Sequence, residues 1–238
     1  SGTPGQVIKS KGWQGKYQSR SGLPYIPSVD GKNIKLTIDL NYQSILQEEL
    51  EKRKKETNSL SAMGVIMNPQ TGAILAMASV PDFDNNYFSK FKINNHHCRA
   101  ITDQFEPGST FKIVAAVAAL SENKISLTEE FNCENGMFEY FNQIVKDHEP
   151  YSQLTLPQII KHSSNIGIIK IAERLGSKTI HKYAKLFGFG SATNIGINGE
   201  TAGSLKPYKD WSRISVGQIS MGHEVAVSTI QLATAFAA

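Results

Sequence analysis

The chain has 238 residues, 40% of them hydrophobic and 19% charged, with a formal net charge of +4 at pH 7. This fits a globular protein with a real core, built as one large domain or two small ones. The positive charge is dispersed, so it gives no argument for a nucleic-acid partner, and two cysteines, Cys98 and Cys133, exclude a disulfide framework though not a single bridge.

Residues 1–30 are rich in Gly, Ser, Pro and Lys and read as an extended leader or the remnant of an upstream domain. Turns are expected at Gly12-Trp13-Gln14-Gly15 and Gly22-Leu23-Pro24. Ser1-Gly2 reads as an arbitrary start. Lys32 to Leu40 alternates as a strand, with Ile34, Leu36 and Ile38 on one side. Asp39 or Asn41 then caps a helix from about Tyr42 to Thr57 whose apolar face is Tyr42, Ile45, Leu46 and Leu50. Within it, the basic run Lys52 to Lys55 is flanked by Glu48, Glu49, Glu51 and Glu56, the pattern of a solvated helix face.

Ala62 to Met67 and Ala73 to Val80 form a hairpin about the turn Asn68-Pro69-Gln70-Thr71-Gly72. A polar stretch containing His96, His97 and Arg99 follows, and the histidine pair lacks neighbours at zinc-ligand spacing. Pro107-Gly108 then punctuates the chain ahead of a helix running to Leu120, apolar on nearly every side and therefore expected inside the core. Residues 121–150 read as a loop-rich excursion with short strands. Thr155 caps a helix from Pro157 to about His162, Ser163-Ser164-Asn165 interrupts it, and a second helix runs from Ile166 to Leu175. Ser177 is expected to cap a third, ending at Phe187, before a Gly-rich loop to Gly203. Asp210 to Gly222 has no clear assignment. Thr229 to Ala238 begins a helix that is apolar all round and unfinished, so the chain is expected to be C-terminally incomplete. No run approaches the roughly 20 apolar residues of a membrane span, and no signal peptide opens the sequence, so the piece itself is expected to be soluble.

Chemistry concentrates in the stretch Glu106-Pro107-Gly108-Ser109-Thr110-Phe111-Lys112. Lys112 is the one charged residue in an apolar helix, and lysine is almost never fully buried without a partner. It lies on the same helical face as Ser109, one turn away. A hydroxyl beside an amine whose pKa burial has depressed is an activated nucleophile, and the helix start favours a developing negative charge. The same residues also fit a capping serine and a lysine that snorkels to solvent. Ser163 and Asn165, on a break between helices, offer a hydroxyl to relay a proton and an amide to hold the lysine and a substrate carbonyl. Taken alone, the tripeptide also fits a plain helix cap.

Ser-x-x-Lys followed downstream by Ser-x-Asn is the pattern of penicillin-binding proteins and class A β-lactamases. The wider chain resembles the transpeptidase domain of class B penicillin-binding proteins. The likeness is carried by Leu36-Thr37-Ile38-Asp39-Leu40 with Gln43, by Met67 to Met77, and by Arg99-Ala100-Ile101-Thr102-Asp103 ahead of the Ser109 motif. Ser163-Ser164-Asn165-Ile166-Gly167 and Gly222 to Ala233 carry it further. It spans residues 32–238, and the division expected is a leader over 1–30 and a transpeptidase domain over 31–238.

The resemblance implies an α+β fold of the penicillin-binding and serine β-lactamase kind, with a central, mainly antiparallel sheet flanked by helices. It implies a D,D-transpeptidase with Ser109 acylated, Lys112 as base, Ser163 and Asn165 as the second motif, and the backbone N–H of Ser109 in the oxyanion hole. The substrates would be peptidoglycan stem peptides ending in D-Ala-D-Ala, with β-lactams as mimics. No metal or organic cofactor is called for, and Arg99, Asp103, Glu106 and Thr110 are assigned to support. A membrane-anchored parent acting outside the cytoplasmic membrane, beside a glycosyltransferase and other division or elongation proteins, follows from the resemblance alone. A β-lactamase or D,D-carboxypeptidase, or a non-catalytic sensor or binding domain, are the other readings of this scaffold. The family's Lys-Thr/Ser-Gly strand is not found: Lys178-Thr179 is followed by Ile180. Residues 1–238 alone are therefore expected to be weakly active or inactive.

Overall fold

The computed structural model describes residues 2–7, 10–11, 17–18 and 25–238. Two compact units are present, Ser1–Thr37 and Ile38–Ala238. In the first, Gln6–Val7 pairs antiparallel with Tyr25–Ile26 and Ser10–Lys11 with Tyr17–Gln18. The two turns expected at Gly12 to Gly15 and Gly22 to Pro24 lie outside the described residues. The strand expected over 32–40 does not form. Ile34 is 85% and Leu36 70% exposed, so their alternation has no buried face to serve, and the chain enters a helix at Leu40.

The second unit is an α+β structure with an antiparallel hairpin flanked by helices. Strand β1 (Ala62–Met67) pairs with β2 (Ile74–Val80), Ala62 opposite Val80 and Met67 opposite Ile74. The connecting turn is shaped by Asn68, whose side-chain oxygen accepts from the N–H of Gln70 and of Thr71 at 2.9 and 3.2 Å. Gly72 takes φ +69°, a left-handed value that favours glycine.

Helix α1 (Leu40–Thr57) starts where the Asp39 carboxylate accepts from the N–H of Asn41 and of Tyr42. It lies on the face of the hairpin bearing Gly64, Ala76 and Ala78, small residues that let it come close. Its inward side differs from the predicted one. Tyr42 and Ile45 face solvent, while Gln43, Leu46 and Leu50 turn inward. The reason is specific: the Gln43 side-chain amide both donates to and accepts from the Met77 backbone, each at 2.9 Å, and so fixes the rotation of the helix. On the opposite face Ser79 Oγ accepts from the N–H of Arg99 at the start of α2 (Arg99–Thr102), and α8 (Thr229–Ala237) packs beside it.

The main core surrounds α3 (Lys112–Ser121), which is packed by α4 (Leu156–Lys161), α5 (Asn165–Leu175), α6 (Ser177–Leu186) and α7 (Ser215–Ser220). Phe111, Val114, Ala115, Ala118, Ile166, Ile169 and Ile180 are fully buried there. Alanines along α3 set a close helix–helix distance, and isoleucines of α5 fill the space between. Helix α3 does lie inside the core, but one side is left less covered: Ile113 and Val117 are half-buried and Leu120 is exposed. Likewise α8 leaves Phe236 53% exposed. Gly176, not Ser177, caps α6. Residues 121–155 hold short antiparallel pairs. Strand β3 (Glu130–Asn132) pairs with β6 (Gln153–Thr155), and β4 (Met137–Tyr140) pairs with β5 (Gln143–Lys146) about Phe141–Asn142. Both turn residues have positive φ, the form that matches strand twist. Cys98 and Cys133 are both free thiols. Among the described residues no helix is long and apolar enough to cross a membrane.

Candidate active site

Four side chains singled out from the sequence meet, or sit one turn apart, at the start of α3. Gly108 adopts φ +56°, and a tight 3-10 turn over Gly108–Phe111 leads directly into the helix. Thr110 Oγ1 donates to the Pro107 carbonyl at 2.7 Å and closes that turn. Ser109 stands exposed on it with its hydroxyl open to solvent, and it does not cap the helix.

Lys112, one turn further on, points inward and is only 2% exposed, so it does not snorkel to solvent. Its Nζ donates to three acceptors: the Ser163 carbonyl at 2.5 Å, Ser163 Oγ at 3.0 Å and Asn165 Oδ1 at 2.8 Å. Burial pushes its pKa down to about 8, and the negative charge of Asp147 pulls in the other direction.

The donor count has a chemical consequence. An ammonium has three N–H groups, and three acceptors face it, so the protonated amine is fully satisfied. A neutral amine has only two N–H groups and a lone pair. The Ser163 carbonyl and Asn165 Oδ1 can only accept, so they keep the two remaining protons. Ser163 Oγ is the partner that can reverse its role and donate. The cluster can therefore hold the amine in either protonation state, with Ser163 Oγ as the partner that changes role.

Why Ser163 presents two acceptors at once is a backbone matter. It lies between α4 and α5 at φ +54°, a left-handed conformation uncommon outside glycine, asparagine and aspartate. Ser164 is the true cap of α5, its Oγ accepting from the N–H of Gly167 at 2.9 Å. Asn165 opens the helix, and its Nδ2 donates to the Lys146 carbonyl at 3.0 Å, which orients the amide oxygen towards Lys112.

Sequence reasoning missed Asp147. One of its carboxylate oxygens accepts from the N–H of Asn165 at 2.5 Å and of Ile166 at 3.1 Å. The other accepts from Ser164 Oγ at 2.6 Å. Asp147 follows β5, so the β4–β5 hairpin delivers a charged cap to a helix far along the chain. The only signal in the sequence was indirect: a helix that begins on Ser-Ser-Asn leaves N–H groups that need an acceptor from elsewhere. Ser109, Thr110 and Lys112 also line one end of an open, largely apolar groove of about 410 Å³ that continues past Ile113, Leu156 and Ile160.

With this geometry in hand, residues 62–238 match the penicillin binding protein transpeptidase domain. The chain is 32% identical to Stage V sporulation protein D of Bacillus subtilis, over 94% of this chain and 35% of that protein. It is 31% identical to the peptidoglycan D,D-transpeptidase FtsI of Escherichia coli, over 99% of this chain and 40% of that one. Among solved structures it is similar to the transpeptidase domain of penicillin-binding protein 3 from Burkholderia pseudomallei. That likeness has a TM-score of 0.76 and 28% identity, covering 87% of this chain and 58% of the other. The chain thus spans two fifths or less of the length of these two relatives.

Proposed function

The chain belongs to the D,D-transpeptidase family of class B penicillin-binding proteins, and from that membership we propose that it supplies the acyl-transfer half of a peptidoglycan crosslinking enzyme, with Ser109 as nucleophile and Lys112 as its base. The observation that carries this reading is the burial of Lys112 against three acceptors, one turn from an exposed serine. With a pKa of about 8, roughly a tenth of the amine is neutral at pH 7. An ordinary lysine would be neutral about 300-fold less often.

The proposed cycle begins with neutral Lys112 Nζ taking the Ser109 hydroxyl proton as Ser109 Oγ attacks the penultimate D-alanine carbonyl of a stem peptide. The tetrahedral oxyanion is stabilised by the backbone N–H of Ser109. Lys112, now an ammonium, returns the proton through Ser163 Oγ to the leaving nitrogen, the C–N bond breaks, and terminal D-alanine departs. An ester remains on Ser109. An amine from a second strand attacks that ester and loses its proton to Lys112. The C–O bond breaks, the proton passes to Ser109 Oγ, and a new peptide bond is the product. A β-lactam enters the same sequence, but its leaving nitrogen stays tethered after ring opening. Asn165 holds Lys112 through its oxygen, and the one N–H it does not spend on the Lys146 carbonyl would be its means of binding a substrate amide. The parent protein would then be anchored in the cytoplasmic membrane with this domain outside it, working on stem peptides beside glycan-polymerising and division or elongation proteins.

The test is intact mass and peptide mapping after treating the full-length protein with a penicillin. One adduct on the peptide carrying Ser109, absent in Ser109→Ala, is the expected result. An adduct elsewhere, or none, refutes the assignment.

A further inference from the structure

The residues just before Ser109 are held by a side chain outside the cluster described above. Phe105 exchanges two backbone hydrogen bonds with Val227, at 3.0 and 2.9 Å, and the Gly108 N–H donates to the Gly222 carbonyl at 3.1 Å. Gly222, at φ +86°, lies so close that a Cβ there would sit 2.0 Å from the Gly108 carbonyl oxygen. Between these contacts the Glu106 carboxylate grips the same segment, residues 222–227, with both oxygens. One accepts from the N–H of Glu224 at 3.0 Å, the other from His223 Nδ1 at 3.0 Å. An ionised carboxylate only accepts, so the imidazole carries its proton on Nδ1. Glu224 itself has φ +53°, and its own carboxylate accepts from Ser215 Oγ at 2.8 Å, which ties the clamp to α7.

We propose that Glu106 is a positioning residue for the acyl transfer: by holding His223 and the Glu224 N–H it seats Gly222 under Gly108 and fixes the turn that presents Ser109 to Lys112. This rests on the reading of Ser109 as nucleophile. Glu106 and His223 are both about half exposed, so the pair adds little to global stability. Its leverage is local, three residues before the reacting oxygen. The left-handed Glu224 is the element that would relax first without it, since a non-glycine residue stays in that region only when its surroundings hold it there.

The experiment compares the acylation rate of Ser109 by a fluorescent penicillin in the full-length wild type, E106A and E106Q, with melting temperatures measured alongside. Glutamine keeps an oxygen for the Glu224 N–H and can donate to the other tautomer of His223. The expected result is E106A slowed about 10- to 100-fold in the acylation step, with a melting temperature within about 3 °C of wild type. E106Q should recover to within about threefold of the wild-type rate. The pH midpoint of the rate should be the same in all three, because Lys112 is untouched. Native-rate E106A overturns the clamp, and so does E106Q as slow as E106A. Should E106A fail to unfold cooperatively, H223A, which removes only the imidazole, carries the test. A slowing of about threefold or more supports the clamp and a native rate overturns it. If the wild type itself forms no adduct, the assignment of Ser109 fails; if wild type and E106A react equally, only the clamp does.

Discussion

Replacing Asp147 by Asn removes one charge and changes almost no volume, so its effects can be worked out bond by bond. In the native protein one oxygen receives two N–H groups at the start of α5 and the other receives the Ser164 hydroxyl. Asparagine can keep its oxygen on the two N–H groups, but its nitrogen then meets Ser164 Oγ as a donor. The Ser164 proton is left with Cys133 Sγ, 3.6 Å away and a weak acceptor. Three hydrogen bonds to a charged group become neutral or are lost, and the helix N-terminus loses its anion. With each of the three charged hydrogen bonds about 1 kcal/mol stronger than a neutral one and a helix-end charge contributing 0.3 to 1, the loss should be about 3–4 kcal/mol. Asp147 also raises the pKa of Lys112, so its neutralisation should lower that pKa. The acylation rate of the wild type should rise with pH about a midpoint near the Lys112 pKa of about 8, and in the variant that limb should move to lower pH even though the motif is looser. The assays are urea unfolding and stopped-flow acylation from pH 6 to pH 10. An unfolding free energy within about 0.5 kcal/mol of wild type, or a limb that stays put or moves upward, would refute the account.

Two more predictions come from single contacts. Lys112 is held below its ordinary pKa in the folded state, so between about 8 and 10.5 the unfolded chain binds the extra proton and stability rises with pH. The rise is on the order of 3 kcal/mol, and Lys112→Met should abolish it in chemical denaturation run across that range. Tyr140 has its pKa raised by burial and by its bond to Glu173, so above pH 10 it acts in the opposite sense and should cap the gain. Gly222→Ala places a Cβ 2.0 Å from the Gly108 carbonyl oxygen in a backbone region that alanine avoids. A loss of at least about 3 kcal/mol, or failure to fold, is expected by circular dichroism; a native-like melting curve would contradict the close approach.

The parts of this fold that were legible are those with local grammar. The β1–β2 hairpin announced itself through two apolar runs around Asn68 to Gly72, and α4 through Thr155 with Pro157 in its first turn, where the structure adds a capping box with Gln158. Ser109, Lys112, Ser163 and Asn165 could be singled out because Ser-x-x-Lys and Ser-x-Asn are each short, and the family resemblance linked them. What was hidden depends on contacts far apart in sequence. The rotation of α1 was set by the grip of Gln43 on Met77, which a tally of apolar residues on the helix cannot express. Asp147 escaped notice because nothing in its own neighbourhood marks it as the cap of α5. The strand read at 32–40 shows the converse: alternation supplies the pattern but not the surface against which to lay it.

The positions of the two key groups differ in one more respect. The serine oxygen belongs to an exposed turn, while the amine lies behind it, sealed among α3 and the start of α5. A covalent ester on that oxygen would hang outward from its activator. Any nucleophile attacking that ester must give its proton to Lys112 behind it, so it would have to stay in place while the proton moves; an amine carried on a bound second strand meets that condition better than a passing water. A long-lived intermediate that waits for a well-placed amine, and resists hydrolysis meanwhile, would be a product of this front-to-back arrangement.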